Sequence, residues 1–111
     1  MAIQQADVLQ GEIQQILVDE ALNCIDGLIK KAKIVIDGNI LITDIYHTPR
    51  KSGIIRKYVY LDSEEGLITR VSLINEQGAE LYTKEPNYQK TAQLGYVTAF
   101  PIQLRVEAVD K

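Results

Sequence analysis

The nine residues Ile34-Val35-Ile36-Asp37-Gly38-Asn39-Ile40-Leu41-Ile42 decide the fold class. β-Branched residues flank an Asp-Gly pair. A two-residue type I′ turn needs positive φ at both central positions, and Asp followed by Gly meets that need at little steric cost. The stretch therefore reads as a β-hairpin, its second arm continuing through Thr43-Asp44-Ile45-Tyr46.

Upstream of this hairpin the rhythm is helical. Over residues 5–31, Leu9, Ile13, Ile16, Leu17, Ala21, Cys24, Ile25 and Leu28 follow steps of three and four, which draws one apolar stripe. Cys24 falls on that stripe and reads as a buried small hydrophobe rather than a reactive thiol. Asp7 and Glu12 lie early and Lys30, Lys31 and Lys33 late, an order that suits the helix dipole. Asp26 and Lys30 form an i,i+4 pair. Gly11 and Gly27 each weaken the helix by ~1 kcal/mol relative to Ala, and Gly27 is a possible earlier end. Intact, the helix is ~40 Å long at ~1.5 Å per residue, long enough for part of it to project beyond a small sheet.

Downstream the apolar residues alternate and short turns interrupt them. After a loop over 47–53, residues 54–61 read as a strand, closed by Asp62-Ser63-Glu64-Glu65-Gly66. Residues 67–74 form the next, closed by Asn75-Glu76-Gln77-Gly78, and a short strand over 79–83 precedes the irregular Lys84-Glu85-Pro86-Asn87. In the last segment Tyr96, Thr98, Phe100, Ile102, Leu104, Val106 and Ala108 share one face. Pro101 lacks an N–H, so an edge or a bulge is expected there. The reading is α+β: one domain over 1–111, with a long N-terminal helix in 1–33 and a four- to six-stranded, mostly antiparallel meander sheet in 34–111.

Several strands are apolar on both faces. Ile40 and Ile42 oppose Leu41 and Ile45, while Leu67, Val71 and Leu73 oppose Ile68 and Ile74. One helix covers one face, so the other is expected either to curl onto itself or to meet another subunit.

Composition narrows the function classes. At 111 residues and 46% hydrophobic, the chain can bury a core of modest stability. A net charge of −3 and a pI near 5.1 argue against bulk attraction to nucleic acid or acidic lipid. One cysteine excludes an internal disulfide and a thiolate metal cluster. The first residues lack the pattern of a signal peptide, and no apolar run approaches the ~20 residues of a membrane span. A soluble, non-secreted chain is expected, without cofactor or membrane.

The candidate sites are weak. His47, the only histidine, stands beside Pro49 in a loop with no evident nucleophile or orienting group. Asp62, Glu64 and Glu65 do not follow the calcium-loop spacing, and the dispersed glycines form no phosphate loop. No catalytic, cofactor-binding or metal residue is assigned. The basic run Arg50-Lys51-Ser52-Gly53-Ile54-Ile55-Arg56-Lys57, flanked by Tyr46, Tyr58 and Tyr60, has the composition of a phosphate-tracking surface, but the acidic total favours a solvated hairpin tip or protein-contact loop. Arg50, Lys51, Arg56 and Lys57, with Ile68 and Ile74 on the strand that follows, are the candidate partner contacts.

The run Leu67-Ile68-Thr69-Arg70-Val71-Ser72-Leu73-Ile74-Asn75-Glu76-Gln77-Gly78-Ala79-Glu80-Leu81-Tyr82-Thr83-Lys84, followed by the alternating strand of Gly95 to Val106, resembles a strand–turn–strand pattern of small tail-fibre and baseplate-associated proteins of bacteriophages and related injection machines. The resemblance spans residues 67–106 and rests on an Ile-Thr-x-Val-x-Leu run before an Asn-x-x-Gly turn. It implies a structural role in a multi-subunit, virion-associated particle and carries over no catalytic residue. Three functions are thus expected to compete: a non-enzymatic assembly protein that forms a homo-oligomer or docks into a larger particle, a nucleic-acid or regulatory module using the basic segment, and a small enzyme or ligand carrier with a pocket between helix and sheet.

Overall fold

The structure, a computed structural model, describes residues 14–46, 50–51 and 53–104. The chain is α+β: one short helix, α1 (Gln15–Leu28), precedes antiparallel sheets. The strands are β1 (Lys31–Ile36), β2 (Asn39–Thr43), β3 (Arg50–Lys51), β4 (Ile54–Leu61), β5 (Gly66–Ile74), β6 (Glu80–Lys84), β7 (Tyr88–Lys90) and β8 (Tyr96–Gln103). They exceed the four to six expected and divide between two sheets rather than one meander. The first sheet runs β2-β1-β5-β6, with β7 also paired to β5; the second runs β3-β4-β8.

The Asp37-Gly38 hairpin forms as read. Both residues take positive φ, 52° and 78°, and Ile36 faces Asn39 across the turn. The Asp37 carboxylate also accepts the Leu67 N–H at 2.9 Å, while its own N–H donates to the Leu67 carbonyl at 2.9 Å. That clamp explains a neighbouring glycine. A Cβ on Gly66 would lie 2.4 Å from Asp37 Oδ2, and its φ of 139° disfavours any other residue.

The helix departs from its expected extent. Its first predicted residues, 5–13, lie outside the described residues, and so do Asp7, Gly11 and Glu12. Its last turn ends at Leu28, before Lys31, because Ile29 is already extended and the Lys30 N–H donates to the Ile74 carbonyl at 2.9 Å. The three late lysines therefore do not sit on the helix C-terminus. Asp26 pairs with Lys57 of β4 in place of Lys30, Lys31 with Asp44, and Lys33 with Glu80.

The core lies between the two sheets. Ala32, Ile34 and Ile36 of β1 and Ile68, Val71 and Leu73 of β5 meet Val59 and Leu61 of β4 and Phe100 of β8, all buried, together with Ile29. Tyr82 of β6 meets Phe100 edge-on with ring centroids 4.9 Å apart, and Tyr88 stacks on Tyr96 at 5.1 Å. A second sheet of the same chain, not the helix or another subunit, covers this face. Of the helix, Leu22 is buried and Ile25 packs against the core from its edge.

A β-bulge corrects the two-sided reading of β5. Val35 faces Arg70 but Ile36 faces Ile68, so Thr69 is the extra residue and parity flips there. Ile68 joins Val71 and Leu73 on the core side instead of opposing them. Pro101 lies on β8, which among the described residues pairs only with β4, and so occupies an edge strand, where a missing N–H is tolerated. The expected last strand ends at Gln103, and residues 105–111 lie outside the described residues.

Candidate functional site

The outward face of the larger sheet is built from alternate residues of β1, β5 and β6. At its centre the Arg70 guanidinium donates two bonds to Glu80, at 2.7 and 3.0 Å, and a third to Glu85 at 2.9 Å. Lys33 lies 3.3 Å from the same Glu80 carboxylate. The Ser72 hydroxyl, fully buried beneath it, sits 3.0 Å from both Glu80 and the Thr83 hydroxyl. Bonds from Arg70 and then Ser72 hold the Glu80 carboxyl down to about 2, and the Glu80 carboxylate raises the Arg70 pKa. Sequence reading missed this lattice. Its signal was present: Arg70 and Ser72 alternate on one strand, and the turn at 75–78 returns Glu80 and Thr83 to their side.

The candidate contact residues do not form one patch. Arg50 donates to Asn23 of α1 at 2.6 Å, and Lys57 is buried against Asp26. Arg56 points to the opposite face of β4 from Lys57, so the basic run splits between the two sides of its strand. The backbone of Lys51 lies in β3. Ile68 and Ile74 are both buried, which removes them as surface contacts of this chain. Outside the smaller sheet the run's aromatic flank does assemble: the Tyr46 and Tyr60 rings lie 5.9 Å apart, and Tyr46 bridges to Tyr58. Asp62 beside it raises the Tyr60 pKa.

His47 lies outside the described residues. Among those described, no three His, Cys, Asp or Glu side chains group to hold a metal ion, and no helix is long and apolar enough to cross a membrane. An open polar depression of about 370 Å³ is lined by Asp37, Glu65, Gly66, Gln89, Lys90 and Thr91. It lies at the hairpin ends, not between helix and sheet. All three hydrogens of the buried Lys90 ammonium go to backbone carbonyls, those of Asp62, Glu64 and Thr91. The depression therefore offers no free ammonium.

The helix is the second outward surface. Its inward side is Val18, Ala21, Leu22 and Ile25, part- or fully buried at helical spacing. The stripe expected to face the core is split: Ala21 and Ile25 face inward, and the rest of its described residues face outward. Leu17 is 56% exposed and Leu28 58%; Cys24, expected to be buried, is exposed as well. Leu17, Cys24 and Leu28, seven and four residues apart, form an apolar strip on the outward side. Ile16, 68% exposed, flanks it.

Comparisons with protein-family models, curated proteins and solved structures gave no match to this chain.

Proposed function

We propose that the chain is a non-enzymatic structural or assembly subunit of a multi-subunit particle, of the tail or injection-machine kind that residues 67–106 resemble. The observation that carries the reading is the outward apolar strip of the helix. Leu17 and Leu28, each more than half exposed, together with Ile16 and Cys24 leave apolar surface in water, which a second helix covers at ~25 cal/mol per Å². The basic segment supports a nucleic-acid module less well, since Arg50 and Lys57 already serve the contact between α1 and the smaller sheet.

Light scattering across a concentration range tests the proposal on the wild-type chain and on Leu17→Glu/Leu28→Glu. Both leucines are exposed, so the variant should fold. The wild type is expected to form assemblies larger than those of the variant. Equal masses at every concentration would remove the helix as a docking element.

A further inference from the structure

We infer that β2 pairs edge to edge with the β2 of a second copy of this chain, antiparallel across a two-fold axis at Leu41, through the outward N–H and C=O groups of Ile40 and Ile42. The inference names a partner and a surface within the assembly reading and rests on it, but its test reads out separately.

The hairpin dictates which groups are available. Across a two-residue turn the flanking pair, Ile36 and Asn39, is hydrogen-bonded, and such pairs alternate along an antiparallel ladder. Asn39, Leu41 and Thr43 therefore spend their N–H and C=O groups on β1. Those of Ile40 and Ile42 point away from it, and among the described residues β2 is the end strand of its sheet. Their side chains, 64% and 50% exposed, stand on the outward face.

Among the described residues, β2 lacks the defences that β3, β6 and β8 carry. β8 carries Pro101, β3 is Arg-Lys, and β6 carries Glu80 and Lys84 with a register shift opposite Leu73 and Ile74. Charges, proline and bulges are the usual defences of a strand edge. Asn39-Ile40-Leu41-Ile42-Thr43 has none of them, and its register against β1 is unbroken.

The strand is also complementary to itself. With the axis at Leu41, all five residues find partners: Asn39 meets Thr43 of the second copy, Ile40 meets Ile42, and Leu41 meets Leu41. The Ile40–Ile42 pairs fall at hydrogen-bonded positions, where the free groups of both strands meet. Four isoleucines then form one apolar ribbon on the outward face of a continuous sheet. A surface that pairs with itself in this way closes as a dimer instead of growing into a fibre.

Proline at position 42 separates the dimer from the fold. The Ile42 N–H serves no bond within the sheet, so Ile42→Pro leaves the ladder to β1 intact and removes both bonds that this N–H makes in the symmetric pair. In the Leu17→Glu/Leu28→Glu background, light scattering should report a dimer at high micromolar concentration. Adding Ile42→Pro should give a monomer with unchanged far-UV circular dichroism. In a Cys24→Ser chain, Asn39→Cys/Thr43→Cys should oxidise to a covalent dimer that reductant dissolves. Positions 39 and 43 face each other between copies as a non-hydrogen-bonded pair with Cα atoms about 4.5 Å apart, within disulfide reach, whereas in one strand they are about 13 Å apart. A monomeric background, a dimer that survives Ile42→Pro, or a cysteine pair that stays monomeric on oxidation would each overturn the inference. Should the proline unfold the chain, the cysteine arm decides. If the wild type is no larger than the helix variant, the helix reading fails while the edge is still scored by these masses.

Discussion

The Lys90 ammonium lies 2.5, 2.6 and 2.8 Å from the carbonyl oxygens of Asp62, Glu64 and Thr91, in a residue only 1% exposed. It acts as an internal cation, tying the acidic turn between β4 and β5 to the start of the loop after β7. The same turn is braced from within, as the Asp62 N–H donates to the Glu64 carboxylate at 3.0 Å. Lys90→Met keeps the apolar stem and deletes the donors. It is expected to lower unfolding stability by about 2–4 kcal/mol, because charge-assisted bonds are lost and buried carbonyls are left unpaired. Urea denaturation should show a lower midpoint at unchanged slope, and a change within error would show that water replaces the ammonium. Nothing around Lys90 in the sequence marks it as interior. A lysine in a polar stretch reads as solvated, and only the return of two distant loops to one point encloses it.

At the scale of elements, the β5–β6 hairpin shows how register creates electrostatics. The Asn75 side chain accepts the N–H groups of Gln77 and Ala79, at 3.0 and 2.8 Å, and Gly78 closes the turn at a φ of 85°. With the turn set, Glu80 returns opposite Ile74, within reach of Arg70 and Ser72. Its carboxyl is held to about 2, below the ordinary carboxylate value, so between those values the unfolded chain binds the extra proton. The stabilisation is complete above the ordinary value and is lost as pH falls toward about 2. Thermal melts of the wild type over that window are expected to steepen with acid relative to Glu80→Gln, and added salt should shrink the difference because the lattice is partly exposed. Parallel profiles for the two proteins would show that the lattice is energetically idle. The helix gives the complementary lesson. Its periodicity was legible in the sequence, but its orientation was not. Apolar residues stand on two sides, and the inward side is the one that Asp26–Lys57 and Asn23–Arg50 press against the smaller sheet.

Across the whole molecule, the decisive feature is that two sheets cover one another. Tyr82 and Phe100 join them edge to face, and the Lys84 ammonium, bonded to the Ala99 carbonyl, lies 4.8 Å from the Phe100 ring centre. A double-mutant cycle of Tyr82→Leu and Phe100→Leu is expected to give a coupling energy of about 0.5–1.5 kcal/mol, the range for an edge-to-face aromatic pair. Additivity would mean that the sheets are held by area alone. Because the core is filled from within the chain, each sheet covers the inner face of the other.

Local chemistry determined the longer elements, although it did not mark the short strands β3 and β7. The positive φ demanded by Asp37-Gly38, the turn at Asn75–Gly78 and the α+β order follow from residue types a few positions apart, since their causes are steric and short-ranged. Tertiary structure decided what those elements face. The extra residue at Thr69 reverses the parity of β5, the bond from Lys30 to Ile74 ends the helix, and the chain's own second sheet covers the first. Burial depends on which distant strand arrives, and an alternating pattern is the same whichever sheet comes to cover it.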